Sequence, residues 1–180
     1  WRLATHPVTG ALLALLLVAS LTDWRTHRIP NWLTGAGLIY ALLANTWFAP
    51  SALDGLQASL LGLGVGLLIP MPLYLLRATG AGDVKLMAVI GAFVGPAVAW
   101  QAVLASFMVG GISALLMAVS HRALGRLMVN TRELVYVSLL PGAGPWIPSD
   151  TTPSVGNLPY AISIATGTTV LLTLRQILAT

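Results

Sequence analysis

Runs of apolar residues about as long as a bilayer is thick, with charge confined to the joints between them, leave a chain few ways to fold. Backbone N–H and C=O groups in hydrocarbon have no water to bond, so each crossing segment must satisfy them internally, as an α-helix. Six such segments can be marked, at 4–22, 32–48, 52–76, 84–94, 97–120 and 158–178. The expected fold is therefore all-α, a polytopic membrane protein of about six transmembrane helices. Residues 11–21 could pass for the apolar centre of a signal peptide, but no small-residue cleavage site follows and more spans come later, so they read as a helix. Gly95-Pro96 predicts a tight turn between the fourth and fifth spans.

Composition agrees. Charged residues make up 8% of the chain against 57% hydrophobic, where a soluble domain carries roughly a quarter charged. The whole chain, 1–180, is expected to form one membrane-embedded domain, with 121–157 as a cytoplasmic connector within it. A pI near 10.1 would suggest nucleic acid in a soluble protein. Here the bases sit at the joints, where they set orientation instead, and no nucleic-acid partner is expected. With the N-terminus outside, Arg25, Arg28, Arg77, Lys85, Arg122, Arg126 and Arg132 fall on the cytoplasmic side, leaving Arg2 and Arg175 outside. The opposite orientation would break the positive-inside rule.

That orientation puts two acids, Asp23 and Asp83, on the cytoplasmic side, each beside a span and each flanked by Gly or Pro. Acids near hydrocarbon are costly, and function is the default reason to keep them. Plain readings exist for both. Asp83 in "GAGDVK" can cap a helix N-terminus, where its charge suits the dipole. Asp23 in "LTDWRTHRIPN" can pair with Arg25 or Arg28 in a solvated turn, with Pro30 setting the turn and Asn31 capping the next helix. Gly80 and Gly82 would allow backbone conformations closed to other residues and a close approach of another segment. Lys85, two positions beyond Asp83, would face lipid phosphate or fix topology. Together the acids offer more than either alone. Two carboxylates side by side cannot both ionise comfortably, so they share a proton: one activates a water while the other protonates a carbonyl oxygen. That is peptide hydrolysis without metal or covalent intermediate.

Asp23-x-Arg25 with Ile29-Pro30-Asn31, then Gly80-Ala81-Gly82-Asp83-Val84-Lys85, then Leu158-Pro159-Tyr160, closely resembles the type IV prepilin peptidases, GxGD-type intramembrane aspartyl proteases. The resemblance runs from the first span to the last. It implies that Asp23 and Asp83 are the catalytic aspartates, and that Arg25, Pro30, Asn31, Gly80, Gly82, Lys85, Pro159 and Tyr160 shape or support the site. It further implies a prepilin or pseudopilin substrate, with a basic leader and an apolar helix, cut at the cytoplasmic face of a bacterial inner membrane. Larger relatives carry a cysteine-bearing cytoplasmic insert and also methylate the product. The first cytoplasmic joint here is about ten residues and the chain has no Cys, so it resembles the short Tad/Flp-pilus type, a peptidase only. One departure is Ala161-Ile162-Ser163, where many relatives have Gly-Pro after the Tyr.

The cytoplasmic side carries seven bases against the acids Asp23, Asp83, Glu133 and Asp150, about +3. A basic leader would therefore be held by local acids or by anionic lipid, not by the overall field. Gly62-x-x-x-Gly66 and Gly91-x-x-x-Gly95 could open a contact for the substrate's apolar stem, or pack helices within the protein, the plainer reading. No cofactor or metal is expected: the three His are scattered, no HExxH occurs, and the glycines at 62, 64 and 66 follow no strand. No Ser sits in a nucleophile-elbow pattern. Trp24, Trp32, Trp47, Trp100, Trp146 and Tyr160 fit an aromatic belt at the interfaces. The rival class is a small proton-coupled transporter or channel using the same acids as a relay; relays place acids at mid-membrane, and these sit at one face. A scaffold with no chemistry is the third class, and it needs neither acid.

Overall fold

A computed structural model of the chain describes residues 7–76, 78–120, 132 and 160–178. The expected connector 121–157 lies almost wholly outside the described residues, as does Pro159. Among the described residues there are seven helices: α1 (Pro7–Thr26), α2 (Asn31–Phe48), α3 (Ala52–Leu68), α4 (Met71–Leu75), α5 (Ala81–Val94), α6 (Pro96–Ser120) and α7 (Tyr160–Leu178). The fold is all helical.

The count of spans differs slightly from the expected six. Four stretches, Pro7–Thr26, Ala52–Leu75, Pro96–Met117 and Tyr160–Leu178, are long and apolar enough to cross a membrane. α2 has 18 residues but carries Asn31, Thr34, Asn45 and Thr46, and does not reach that mark. α5 has 14 residues, about 21 Å of rise against a hydrocarbon layer of roughly 30 Å. Its apolar run marks a buried helix more than a spanning one. The expected segment 52–76 is broken at Ile69-Pro70 into α3 and α4, because Pro70 and Pro72 bring no N–H to the helical ladder.

α5 forms the middle of the bundle. Val84 and every residue from Leu86 to Phe93 are buried, with α2, α3, α6 and α7 packed around them. Two devices hold it. Along α3, Gly62 and Gly66 lie against the backbone of α5 at Gly91 and Met87, so closely that a Cβ at either glycine would run into a carbonyl oxygen. The small-residue spacing therefore serves close packing within the protein. Near the far end of α5, the Asn45 side-chain amide on α2 donates to Ser59 Oγ on α3 at 2.9 Å and to the carbonyls of Ala92 and Phe93 at 2.8 and 3.2 Å. Helix ends leave carbonyls without an intrahelical partner, and Asn45 answers two of them. The turn into α6 follows at once, with Gly95 at φ 75°, a conformation that favours glycine, as the Gly95-Pro96 pair predicts.

Trp24, Trp32, Trp47 and Trp100 stand exposed on the helix surfaces, as a belt requires. Tyr160 does not join them. Its ring fits against Gly110 of α6, where a Cβ would have no room, so it belongs to the interior of the helix end.

Candidate active site

α1 ends where its fourth-from-last residue becomes useful. The N–H of His27 bonds the carbonyl of Asp23 at 2.8 Å, and His27 takes φ 48° to make that closure. This is a left-handed cap that glycine fills without strain. His27→Gly is therefore expected to raise thermal stability by about 1 kcal/mol, measured as unfolding of the purified protein in detergent; a lower melting temperature would contradict the strained-cap reading.

The cap leaves the Asp23 side chain pointing into the bundle, 7% exposed. Its Oδ2 accepts the backbone N–H of Ala161 at 3.0 Å, across to the first turn of α7. That amide is one of the four that a helix leaves unpartnered at its N-terminus, and it carries the positive end of the helix dipole. Asp23 thus uses α7, not the neighbouring Arg25 or Arg28 of the solvated-turn reading, as its hydrogen-bond partner.

Asp83 arrives from the other side, in the first turn of α5. Gly80 is the N-cap with φ −79°, an ordinary extended conformation, so glycine is not needed there for backbone freedom. Gly80's amide donates to Asp83 Oδ2 at 3.2 Å, and a Cβ on Gly80 would lie 3.2 Å from that same oxygen. Gly82 faces Ile29 of the α1–α2 joint, with room for little more than ordinary contact. The glycines bring two joints and a carboxylate close together. Asp83 is therefore the third helical residue reaching back to the cap, not the cap itself.

One pocket of about 660 Å3 takes in both Asp23 and Asp83, together with Asn31, Gly80, Gly82, Lys85 and Tyr160 among the expected site residues. Arg25 lies on the exposed last turn of α1 and Pro30 on the joint, and neither lines the pocket. Asn31 does not cap α2. Pro30 holds that position with no side-chain bond, and Asn31 Oδ1 instead accepts from Lys85 Nζ at 2.9 Å. Lys85 thus ties the start of α2 to α5 instead of standing free toward lipid. His27, Thr79 and the Ala161 amide are additions to the expected set, whereas Ile29 belongs to the Ile29-Pro30-Asn31 motif. Of the additions, only the phase of α1, which sets His27 just past its end, could have been read from sequence.

The electrostatics of the two acids differ. Asp83 lies outside the four spanning helices. Burial raises it from the usual carboxylate range to about 6, the Gly80 amide opposes this, and the nearby negative charge of Asp23 adds to the rise. The two carboxyls share one pocket but have different backbone partners, the Ala161 amide for Asp23 and the Gly80 amide for Asp83. Among the described residues, no three of His, Cys, Asp and Glu come together as a metal would need.

A second cavity, about 630 Å3 and mainly apolar, lies at the opposite ends of the same helices, between Val8 on α1, Asp54 on α3 and Arg175 on α7. It holds neither Asp23 nor Asp83.

Comparison with known proteins gives one family. Residues 10–119, from α1 to the end of α6 and including both Asp23 and Asp83, match the model of the type IV leader peptidase family. No curated protein and no solved structure matches the chain significantly.

Proposed function

The chain belongs to the type IV leader peptidase family, and from that premise we propose that it is a membrane aspartyl endopeptidase that removes the basic leader from type IV, Flp-like prepilins, with Asp23 and Asp83 as its catalytic pair. Membership itself supports a peptidase, and four apolar helices fit a multi-pass membrane protein. The observation that carries the finer reading is the shared pocket: helices that begin and end sixty residues apart bring two carboxylates to one opening.

In this reading the water sits between the acids. Asp23, held by the Ala161 amide, takes a proton from it. Asp83, which burial favours in its neutral form, gives its proton to the carbonyl oxygen of the scissile bond as the tetrahedral intermediate forms. On collapse Asp23 gives the proton it took to the leaving nitrogen, Asp83 takes a proton back from a hydroxyl of the intermediate as the C–N bond breaks, and the pair is restored. No covalent bond to the protein forms at any stage.

The site's face of the bundle carries Arg25, His27, Arg28 and Lys85, and by the positive-inside rule this is the cytoplasmic face of a bacterial inner membrane. A basic leader meets the two carboxylates here, and anionic lipid headgroups supply further attraction at the rim. The apolar stem of the substrate stays in the bilayer, so the cleaved bond lies at the membrane edge, where the pocket opens. The short first joint and the absence of Cys from the sequence support a Tad/Flp-type reading, a peptidase that cleaves but does not methylate.

The pH profile tests the division of labour. If the proton resides on Asp83, cleavage needs Asp83 protonated, and the protonated fraction falls as pH rises through about 6. The rate of cleavage of a prepilin peptide by purified protein in detergent should then drop roughly tenfold per pH unit on the alkaline side. A rate that climbs through that range would remove Asp83 as the acid.

A further inference from the structure

Charge is scarce in this chain, yet an acid and a base both line the second cavity. They are Asp54, in the first turn of α3, and Arg175, in the last turn of α7. Arg175 is held in place by a neutral group: its Nε and Nη2 both donate to Gln101 Oε1 on α6, at 3.0 and 2.7 Å. Gln101 orients the guanidinium without cancelling its charge, and three of its five N–H donors are left over. The positive end of α3 suits the charge of Asp54. Among the described residues, however, Asp54 has no hydrogen bond and no ion pair, with Arg175 or any other group.

The space these two charges border is apolar. It measures about 630 Å3, and its walls include the buried side chains of Val8, Leu12, Phe93 and Leu172. Ligand sites run from roughly 300 to 1,000 Å3 and pair such walls with a few polar groups. Two tryptophans mark its depth in the bilayer. Trp47 and Trp100 are exposed on the helix surfaces, within three residues of Ala49 and Ala97, which line the cavity. Exposed tryptophan sits where headgroups meet acyl chains. A charge at that depth is costly without a partner, and here the two signs stay apart. A single occupant can satisfy both if it brings an anion, a cation and an apolar tail. A guanidinium fork matches phosphate oxygens, a carboxylate accepts from a primary ammonium, and the bilayer supplies molecules that carry both.

We infer that this cavity binds an aminophospholipid from the leaflet opposite the catalytic pocket. Its phosphate rests on Arg175, its ammonium on Asp54, and an acyl chain fills the apolar space. The bound lipid joins the ends of α1, α3 and α7, so it stabilises the bundle in proportion to its concentration. The inference needs only that the chain spans a membrane, and it stands whether or not the peptidase reading does.

The test uses the full chain, purified and stripped of lipid in detergent. Phosphatidylethanolamine or phosphatidylglycerol is titrated in, and binding is read by native mass spectrometry and by thermal shift. The wild type should bind phosphatidylethanolamine about fivefold more tightly, because phosphatidylglycerol brings no cation to Asp54. Asp54→Asn should erase that preference; Asp54 is exposed and bonds nothing, so the fold is untouched. Arg175→Gln should weaken both lipids about tenfold, the effect of losing a charge-assisted bond to phosphate, and Arg175→Lys should recover most of it. Free phosphoethanolamine, which has the headgroup and no tail, should not displace the lipid. Equal binding of both lipids by the wild type and both charge-removing variants would mean non-specific annular lipid and overturn the site. Displacement by phosphoethanolamine would make it a headgroup site without a tail. Displacement by a peptide with the substrate's apolar stem would give the cavity to the substrate, and either result ends the lipid assignment.

Discussion

Asp23→Asn and Asp83→Asn are each expected to abolish conversion of a co-expressed prepilin, with rates down by roughly a thousandfold or more. Asn keeps the shape and a side-chain oxygen. At position 83 that oxygen can still accept from the Gly80 amide, and at position 23 from the Ala161 amide. The substitutions therefore remove the exchangeable proton and the charge while leaving the architecture. Membrane insertion and yield should match the wild type, and the ratio of precursor to mature pilin on an immunoblot reads the result. Processing that survives either change removes the two-carboxylate mechanism. Arg25→Ala and Lys85→Ala should do much less. Arg25 lies outside the pocket, and the bond of Lys85 is to Asn31, tying α5 to α2.

The second large effect is on the fold itself. Gly62→Val and Gly91→Val should each destabilise the bundle by about 3 kcal/mol or more, since the atoms a new side chain would meet are main-chain carbonyls that cannot rotate away. Overpacking a core costs less where side chains can give; here α3 and α5 would have to separate along their whole contact. Gly64→Val is the control on the same helix, because a Cβ there meets nothing within 4 Å. Thermal unfolding in detergent should show a large drop for the first two and little change for the third. Equal behaviour of Gly62 and Gly64 variants would show that the backbone contact does not hold the helices.

The fold was legible where hydropathy speaks for a whole segment. The starts and ends of α2 and α6 fall within a residue of those expected, and Gly95-Pro96 makes the turn its chemistry predicts. Hydropathy is silent about partners, and there the reading ran out. It could not tell that the run before Val94 is a central helix shielded by protein instead of lipid, since both environments ask for the same residues. It marked 52–76 as one segment, and Ala52–Leu75 is one stretch apolar enough to cross, but hydropathy did not show that Pro70 and Pro72 divide it into two helices. The two acids could be picked out because charge is scarce and their flanks are distinctive. Their supports could not. The Ala161 amide is a backbone group that every residue but proline has, so nothing in its side chain marks it. Asn31 misled for a related reason: its side chain suits a cap, but Lys85, fifty-four residues away, claimed it.

The grip on α5 reaches further than packing. Its far end is fastened by Asn45, and its flank by Gly62 and Gly66, up to Met87, one turn short of Asp83. The helix behaves as a beam built into a wall, held along its length and tied near its start by the Lys85–Asn31 bond. A peptidase that cuts more than one sequence must accommodate the differences somewhere. With the beam fixed, that compliance is left to the few residues at its tip, 78–82, so selectivity among substrates would change with substitutions there while the deeper helix stays the same.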